Sequence, residues 1–333
     1  MKKLKFLVTA AAACLLAACT ANPSKEASKE GSDPSSQEVS QNSQEQSNSQ
    51  AQSQSNSQAT STSQAVQHIM EIDYATKKAD FVDKQFAVTT TVENGYTLVN
   101  GVCTISVAGA YTVTGYLKGQ ILITVVGVEL SLNNAYLEND QGKAPIYCNV
   151  AYDSANTAEQ KLEVKGKATN YIVQYGGTYD KNNKDTAAAI VSDCDLDLGG
   201  SGLMYIVGAL KHGVKANTVK VKSEGYRYVQ GTNDGSAVNC TKFVDKAASA
   251  SKLYAINTKN AIKADNAIEL SSEGTTIYMY DCEVGMKTDK KSGEEHITLG
   301  AGVIVHYDHV TTPFDTNDGK LTNNATINPA EQA

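Results

Sequence analysis

The chain has 333 residues, of which 20% are charged and 41% hydrophobic; its net charge is −7, and it contains 17 tyrosines, a single arginine and no tryptophan. The acidic balance and the lack of any basic block exclude a nucleic-acid-binding surface. Beyond the N-terminus no segment is apolar for the roughly 18 residues that a membrane-spanning helix needs.

Taken in chain order, Met1-Lys2-Lys3-Leu4-Lys5 is a short basic run, and the apolar stretch Phe6 to Leu15 follows it. This is the pattern of an export signal. It ends in Leu16-Ala17-Ala18-Cys19, which resembles the bacterial lipobox, so residues 1–19 are expected to be a lipoprotein signal peptide with Cys19 as the lipidated residue. Lipidation places the chain on the extracellular face of the cell membrane, held through the lipid anchor only. Residues 20–70 are rich in Ser, Gln, Asn and Glu and have little to bury, so they are expected to be a disordered tether. Such a tether spans roughly 35–40 Å.

Residues 71–312 carry the folded domain. Ile190, Val214, Val238, Ile262 and Met286 stand 24 residues apart. The preceding positions repeat as Ala189, Gly213, Ala237, Ala261 and Gly285, and those two further on as Ser192, Ala216, Cys240, Ala264 and Thr288. A fixed period of this length marks stacked repeats, each burying its apolar side against the next. Alternating pairs such as Leu196/Leu198, Val219/Val221 and Ile268/Leu270, punctuated by Gly199-Gly200-Ser201-Gly202 and Ser223-Glu224-Gly225, predict two or three short strands per unit. The expectation is an all-β chain, a parallel β-helix with coils of about 24 residues. The stack extends upstream through Ile146 and Ile121, and Gln174 to Lys184 reads as a loop thrown out from one coil. Residues 313–333 read as a loosely ordered tail. Cys14 and Cys19 leave five of the seven cysteines: Cys103, Cys148, Cys194, Cys240 and Cys282. None of the five lies close to another in sequence, so neither a disulfide framework nor a zinc site is indicated.

The chemistry-bearing residues fall into rows. One place past each core aliphatic stand Val191, Lys215, Asn239, Lys263 and Lys287; two further on stand Asp193, Asn217, Thr241, Asp265 and Asp289. Stacked coils bring each row into a column with about 5 Å between neighbours. Lys215, Lys263 and Lys287 with Asn217 and Asn239 can form a strip for a linear polysaccharide, or simply a solvated face on which each Lys offsets an Asp. Asp193, Asp265, Asp289 and Asp234 are the candidate calcium ligands, with Asp265 and Asp289 as neighbours. Tyr226 and Tyr228 share one side of a strand, as do Tyr278 and Tyr280, and supply amphipathic rings that either stack in the structure or meet a sugar. Arg227 faces opposite Tyr226 and Tyr228 and is exposed if those two are buried. In a regular strand His306 and His309 point to opposite faces.

Gly109-Ala110-Tyr111-Thr112-Val113-Thr114-Gly115, Ala188-Ala189-Ile190-Val191-Ser192-Asp193-Cys194-Asp195-Leu196, Gly200-Ser201-Gly202, Val214-Lys215-Ala216-Asn217 and Ile262-Lys263-Ala264-Asp265 together resemble a bacterial family. It is that of the clostridial carbohydrate-binding lipoproteins. The resemblance runs from about Ile72 to Val310 and implies a right-handed parallel β-helix, similar to pectate lyases, that binds cellulose or polygalacturonate without cleaving it. It also implies calcium, held in the family by an Asp at the start of a strand. Here the corresponding positions are Ala188, His212, Ser236, Asn260 and Val284, and only Asn233-Asp234-Gly235 keeps a displaced trace. The expected protein is a monomer that binds polysaccharide and is not an enzyme. A polysaccharide lyase using Arg227, and an adhesin or spacer recognising host protein, are the rival readings.

Overall fold

Aliphatic residues recurring at a constant offset dictate strands that pair with the next repeat rather than with a sequence neighbour. The computed structural model describes residues 73–156, 159–246, 249–289 and 295–329. The expected signal peptide, Cys19 and the tether 20–70 lie outside the described residues, all of which fall in one compact unit, Ala51–Ala333. The chain is nearly all β. Among the described residues twenty-one strands join one large sheet, accompanied by a short helix, α1 (Tyr74–Ala79), and a 3-10 turn at Lys184–Thr186. Among the described residues every strand pairing is parallel except two at the N-terminal end. There Ala87–Thr90 runs antiparallel to Gly109–Lys118, and Tyr96–Val99 antiparallel to Val102–Ile105.

The register carries three inward rows. In the first, Cys103, Ile121, Ile146, Ile190, Val214, Val238, Ile262, Met286 and Phe314 lie side by side on successive strands. All of them are buried except Phe314, which is half-buried. The second row is Val128, Leu162, Leu196, Val219, Phe243, Ile268 and Ile297. The third is Leu117, Leu137, Ile172, Ile206, Val229, Ala255 and Met279. All three rows belong to a single hydrophobic cluster, so each repeat sends three strand segments past one shared core. Burial of each such aliphatic side chain contributes about 1.5–3 kcal/mol, repeated down the stack.

Between Ile146 and Ile190 two excursions lengthen one repeat. One lies after Cys148; the other is the expected loop, which runs from Tyr175 to Ala187. The second folds back over the first row's outer face, so Val191, expected to be solvent-facing, is buried with Ala187 and Ala188 beside Tyr147 and Tyr179. The C-terminal segment also departs from expectation. Lys320–Asn323 pairs with Glu295–Leu299, and Thr326–Pro329 with Ile304–Asp315, so residues expected to form a loose tail continue the parallel ladder. Few of their side chains are large and apolar, which hid the strands from a periodicity search; backbone hydrogen bonds to the preceding repeat hold them.

Corners join the segments. At several, one residue in the left-handed region turns the chain: Asn134 (φ 54°), Asn257 (φ 48°), Asp281 (φ 51°) and His309 (φ 50°). Asn and Asp tolerate this conformation because their short polar side chains bond locally. At another corner His212 is buried, and its Nδ1 accepts the Ser236 amide at 3.0 Å. Burial, helped by Lys215, Lys211 and Lys263 and opposed by Asp234, pulls its pKa down to about 3.

Two outcomes follow from this frame. Ile190→Ala should cost about 2–5 kcal/mol in urea denaturation, because the site is sealed on both sides by neighbouring repeats. The unfolded chain protonates His212 at an ordinary pKa near 6.5, whereas the folded chain does not. Stability from this residue is therefore complete above that pH and falls as pH drops toward 3. Urea midpoints compared at pH 6 and pH 4 should show a loss of about 2 kcal/mol from this group, removed in His212→Asn, which keeps an acceptor for Ser236.

Candidate functional site

Two outward faces flank one line of corners. On the first face Tyr147, Val191, Lys215, Asn239, Lys263, Lys287 and Asp315 occupy one in-register column. Lys215, Asn239, Lys263 and Lys287 are half-buried and open to solvent below the loop that covers Val191. Lys215, Asn239, Lys263 and Lys287 therefore stand in one column, which is largely self-neutralised. Lys263 Nζ lies 2.6 Å from Asp289, and Lys287 Nζ lies 2.5 Å from Asp315 and 3.9 Å from Asp289. The Lys287 ammonium holds the Asp315 carboxyl below the usual range. Among the described residues Lys215 has no carboxylate within ion-pair distance. Asn217 is committed to the fold: its Nδ2 donates to Asp195 Oδ1 at 2.7 Å, and the same oxygen accepts the Thr218 amide.

The four calcium candidates are not gathered. Asp193 pairs with Lys184 at 3.1 Å, Asp289 with Lys263, and Asp234 with Lys211 at 2.9 Å, while Asp265 is exposed. Among the described residues no group of three or more His, Cys, Asp or Glu side chains could share an ion. Calcium takes six to eight oxygens, which this donor set does not assemble.

The second face holds the feature that sequence reasoning missed. Tyr116, Tyr136, Tyr171, Tyr205, Tyr228, Tyr254, Tyr278 and His306 stand in register on successive strands. From Tyr136 onward neighbouring ring centroids lie 5.3, 5.1, 5.0, 4.5, 4.1 and 4.6 Å apart, a continuous stack. Each contact adds about 0.5–1.5 kcal/mol beyond burial. The rings face one another, and Tyr136, Tyr171, Tyr228 and Tyr254 are buried; the Tyr136 hydroxyl donates to the Tyr74 carbonyl at 3.0 Å. Tyr226 sits beside the stack, 6.4 Å from Tyr228, and its hydroxyl accepts from Lys252 at 3.1 Å. His306 caps the stack; His309, turned by its left-handed backbone, meets the Tyr280 ring edge-on at 5.4 Å instead of pointing away.

Helix α1 and Phe81 cover the upper end of the stack. Phe81 lies 5.6 and 5.7 Å from the Tyr136 and Tyr171 rings. Lys78 and the Tyr116 hydroxyl both bond Glu138 Oε1 at 2.5 Å, beneath the surface. The Glu138 carboxylate raises the Lys78 pKa and fixes the helix there. Among the lower rings Tyr228 and Tyr254 are buried with Ile256 against Tyr205, Tyr226, Tyr278 and Tyr280, while Tyr205 and Tyr278 are half-buried.

A groove of about 550 Å³ opens on the corner between these faces. It arises because the loop Gly231–Gly235 needs several residues where the next repeat turns on Asn257 alone. Val207, Gln230, Thr232, Asn233, Asp234 and Asn257 line it. The Thr232 hydroxyl donates to Asp234 at 2.6 Å, and Asp234 meets Lys211. Only Asn233-Asp234-Gly235 flagged this corner in the sequence, as a displaced trace of the family's calcium-holding Asp. Gln230, Thr232 and Asn257 carried no signal, since the groove depends on comparing two unequal corners.

Arg227 is corrected outright. Tyr226 and Tyr228 face outward, so Arg227 points into the interior and is completely buried. Nη1 donates to the carbonyls of Ser223 and Gly225 at 3.0 and 2.5 Å, and Nη2 to those of Gly200 and Lys222 at 3.1 and 2.6 Å. Desolvation lowers its pKa to about 10. The guanidinium clamps two stacked turns together, where Gly200 (φ +91°) has no room for a Cβ against the Gly166 carbonyl, 2.1 Å away.

The family whose sequence model matches residues 99–325 is described as "Carbohydrate-binding domain-containing protein", and the chain belongs to that family. No curated protein matches it. Among solved structures, the polysaccharide lyase-like protein from C. thermocellum, a gadolinium derivative, is similar at 17% identity and a TM-score of 0.41, over 74% of this chain and 94% of that one.

Arg227→Met should remove the guanidinium from four buried carbonyls, of which Gly200 keeps the Gly225 amide at 3.1 Å, and cost roughly 3 kcal/mol in urea denaturation. The folded fraction should retain whatever polymer it binds, because the guanidinium never reaches the surface.

Proposed function

We propose that the chain is a lipid-anchored, cell-surface protein with a right-handed parallel β-helix, which holds a plant-cell-wall polysaccharide without cleaving it. The observation that carries this reading is the open corner groove, set between a column of half-buried polar side chains and the stack of tyrosine rings. Amide and hydroxyl groups such as Gln230, Thr232, Asn233 and Asn257 suit the alternating donors and acceptors of sugar hydroxyls. Membership of a carbohydrate-binding family supports the ligand class. The burial of Arg227, the chain's only arginine, supports binding over lyase chemistry, since a base must lie within hydrogen-bond reach of the proton it abstracts.

The charge pattern favours a neutral polymer such as cellulose over polygalacturonate. Lys263, Lys287 and Lys211 already meet carboxylates, and the net charge is −7. A uronate chain would have to displace those partners.

Pull-down of the chain on insoluble cellulose and on calcium-gelled polygalacturonate, with and without chelator, tests the reading. Retention on cellulose, unaffected by chelator, is expected. Gln230→Ala with Asn233→Ala should weaken it about tenfold, the loss of two hydrogen bonds. Lys263→Ala with Lys287→Ala should leave it unchanged. Retention only on polygalacturonate, lost in the lysine double variant, would move the ligand to the charged strip, and retention on neither would remove the polysaccharide reading.

A further inference from the structure

Among the five described cysteines, one pair stands apart. Cys148 and Cys194 are both fully buried, and their sulfurs lie 3.7 Å apart. The strands Ile146–Cys148 and Ala188–Ser192 run parallel, with Cys148 opposite Ser192. Cys194 sits two residues further on, at the corner before Asp195–Gly199, and the backbone at that corner is pinned. The Asp193 amide donates to the Cys148 carbonyl at 2.9 Å, and the Tyr152 amide to the Asp193 carbonyl at 3.1 Å. The two thiols are thus held in van der Waals contact across neighbouring repeats by hydrogen bonds that do not involve them. Cys194 Sγ also lies 3.3 Å from the Ser192 hydroxyl and 3.6 Å from the Asp195 carbonyl, and what sets the pair apart is the second sulfur: Cys240 and Cys282 meet backbone carbonyls at 3.8 and 3.2 Å, and Cys103 is buried among hydrophobic side chains.

We propose that Cys148 and Cys194 form a structural disulfide, closed during folding by exchange with a disulfide-carrying oxidant. The sulfurs need to approach by about 1.7 Å to reach the bonded distance of about 2.0 Å. In the exchange the Cys194 thiolate attacks one sulfur of the incoming disulfide and expels a thiolate. Cys148, losing its proton to that thiolate, then attacks Cys194 Sγ and expels the second thiolate. The two cysteines lose two electrons and two protons, and the oxidant becomes two thiols. The step is the same with the roles exchanged, since either thiol can donate to the other across the 3.7 Å contact.

The location explains what the bond does. It closes the repeat that carries both excursions, the one place where the ladder departs furthest from its 24-residue step. Cross-linking removes the conformational freedom that this long loop has in the unfolded chain. Burial of both sulfurs also means that exchange precedes completion of the core, and that the finished bond is shielded from reductant.

Peptide mapping tests the proposal on the full chain, refolded from its reduced, denatured form in a defined mixture of oxidised and reduced glutathione. After alkylation under denaturing conditions without reductant, trypsin releases Ala144–Lys161 and Asp185–Lys211, each with one cysteine. The expected product is these two peptides linked, with a mass equal to their sum less two hydrogen atoms, separated by reductant. Recovery of both as alkylated singles, or Cys148 linked to a different cysteine, overturns the proposal. Urea midpoints give an independent reading that needs no variant. The oxidised chain should unfold at higher urea than the same chain after reduction and alkylation, and equal midpoints would refute a structural role. In Cys148→Ala with Cys194→Ala the midpoint should not respond to reductant.

Discussion

The parallel ladder between successive repeats is the constraint on which everything else rests. A strand has side chains with a period of two, so one register decides for every residue whether it meets the core or the solvent. In this chain the register is set by the buried rows through Ile190, Ile172 and Leu196, and held by backbone bonds that each repeat makes to both neighbours. A slip of one residue would drive Lys215, Lys263 and Lys287 inward together. The polar column and the tyrosine stack are therefore not separate inventions. They are two outward consequences of the same inward pattern.

Because the ladder fixes positions in two dimensions, function is written in its interruptions. The loop from Tyr175 to Ala187 covers the upper part of the polar column and leaves Lys215, Lys263 and Lys287 half-exposed, while helix α1 and Phe81 pack on the upper end of the tyrosine stack. The corner at Gly231–Gly235 makes a hollow only because its neighbour turns on one residue, Asn257. The repeats supply rigidity, and the irregular connections decide which stretch of surface a ligand can reach. That division matches the general placement of binding residues on loops held by a stiff frame.

The row through Ile190 and Met286 was legible because four consecutive repeats keep the same length, and Lys215, Asn239, Lys263 and Lys287 came with it at no extra cost. The tyrosine stack escaped notice for the opposite reason. From Tyr136 to His306 its members are separated by 35, 34, 23, 26, 24 and 28 residues, since each interval includes corners of different length. The orientation of Arg227 was also beyond alternation alone: both sides of its strand are large and apolar, and only the four carbonyls of the adjoining turns reveal which side is interior. Ion pairing was partly legible, as lysines and aspartates two places apart, but which carboxylate each lysine meets depends on the neighbouring repeat. Asp289 reaches back to Lys263, and Asp315 answers Lys287.

The stack of phenol rings has an optical consequence. The chain has no tryptophan, so its near-ultraviolet absorption belongs almost wholly to tyrosine. Rings held 4.1 to 5.3 Å apart in a fixed orientation couple their electronic transitions, which isolated tyrosines on a mobile surface do not. The protein therefore carries its own chromophore array along one face. Its circular dichroism reports directly on whether that face is intact, with no label attached.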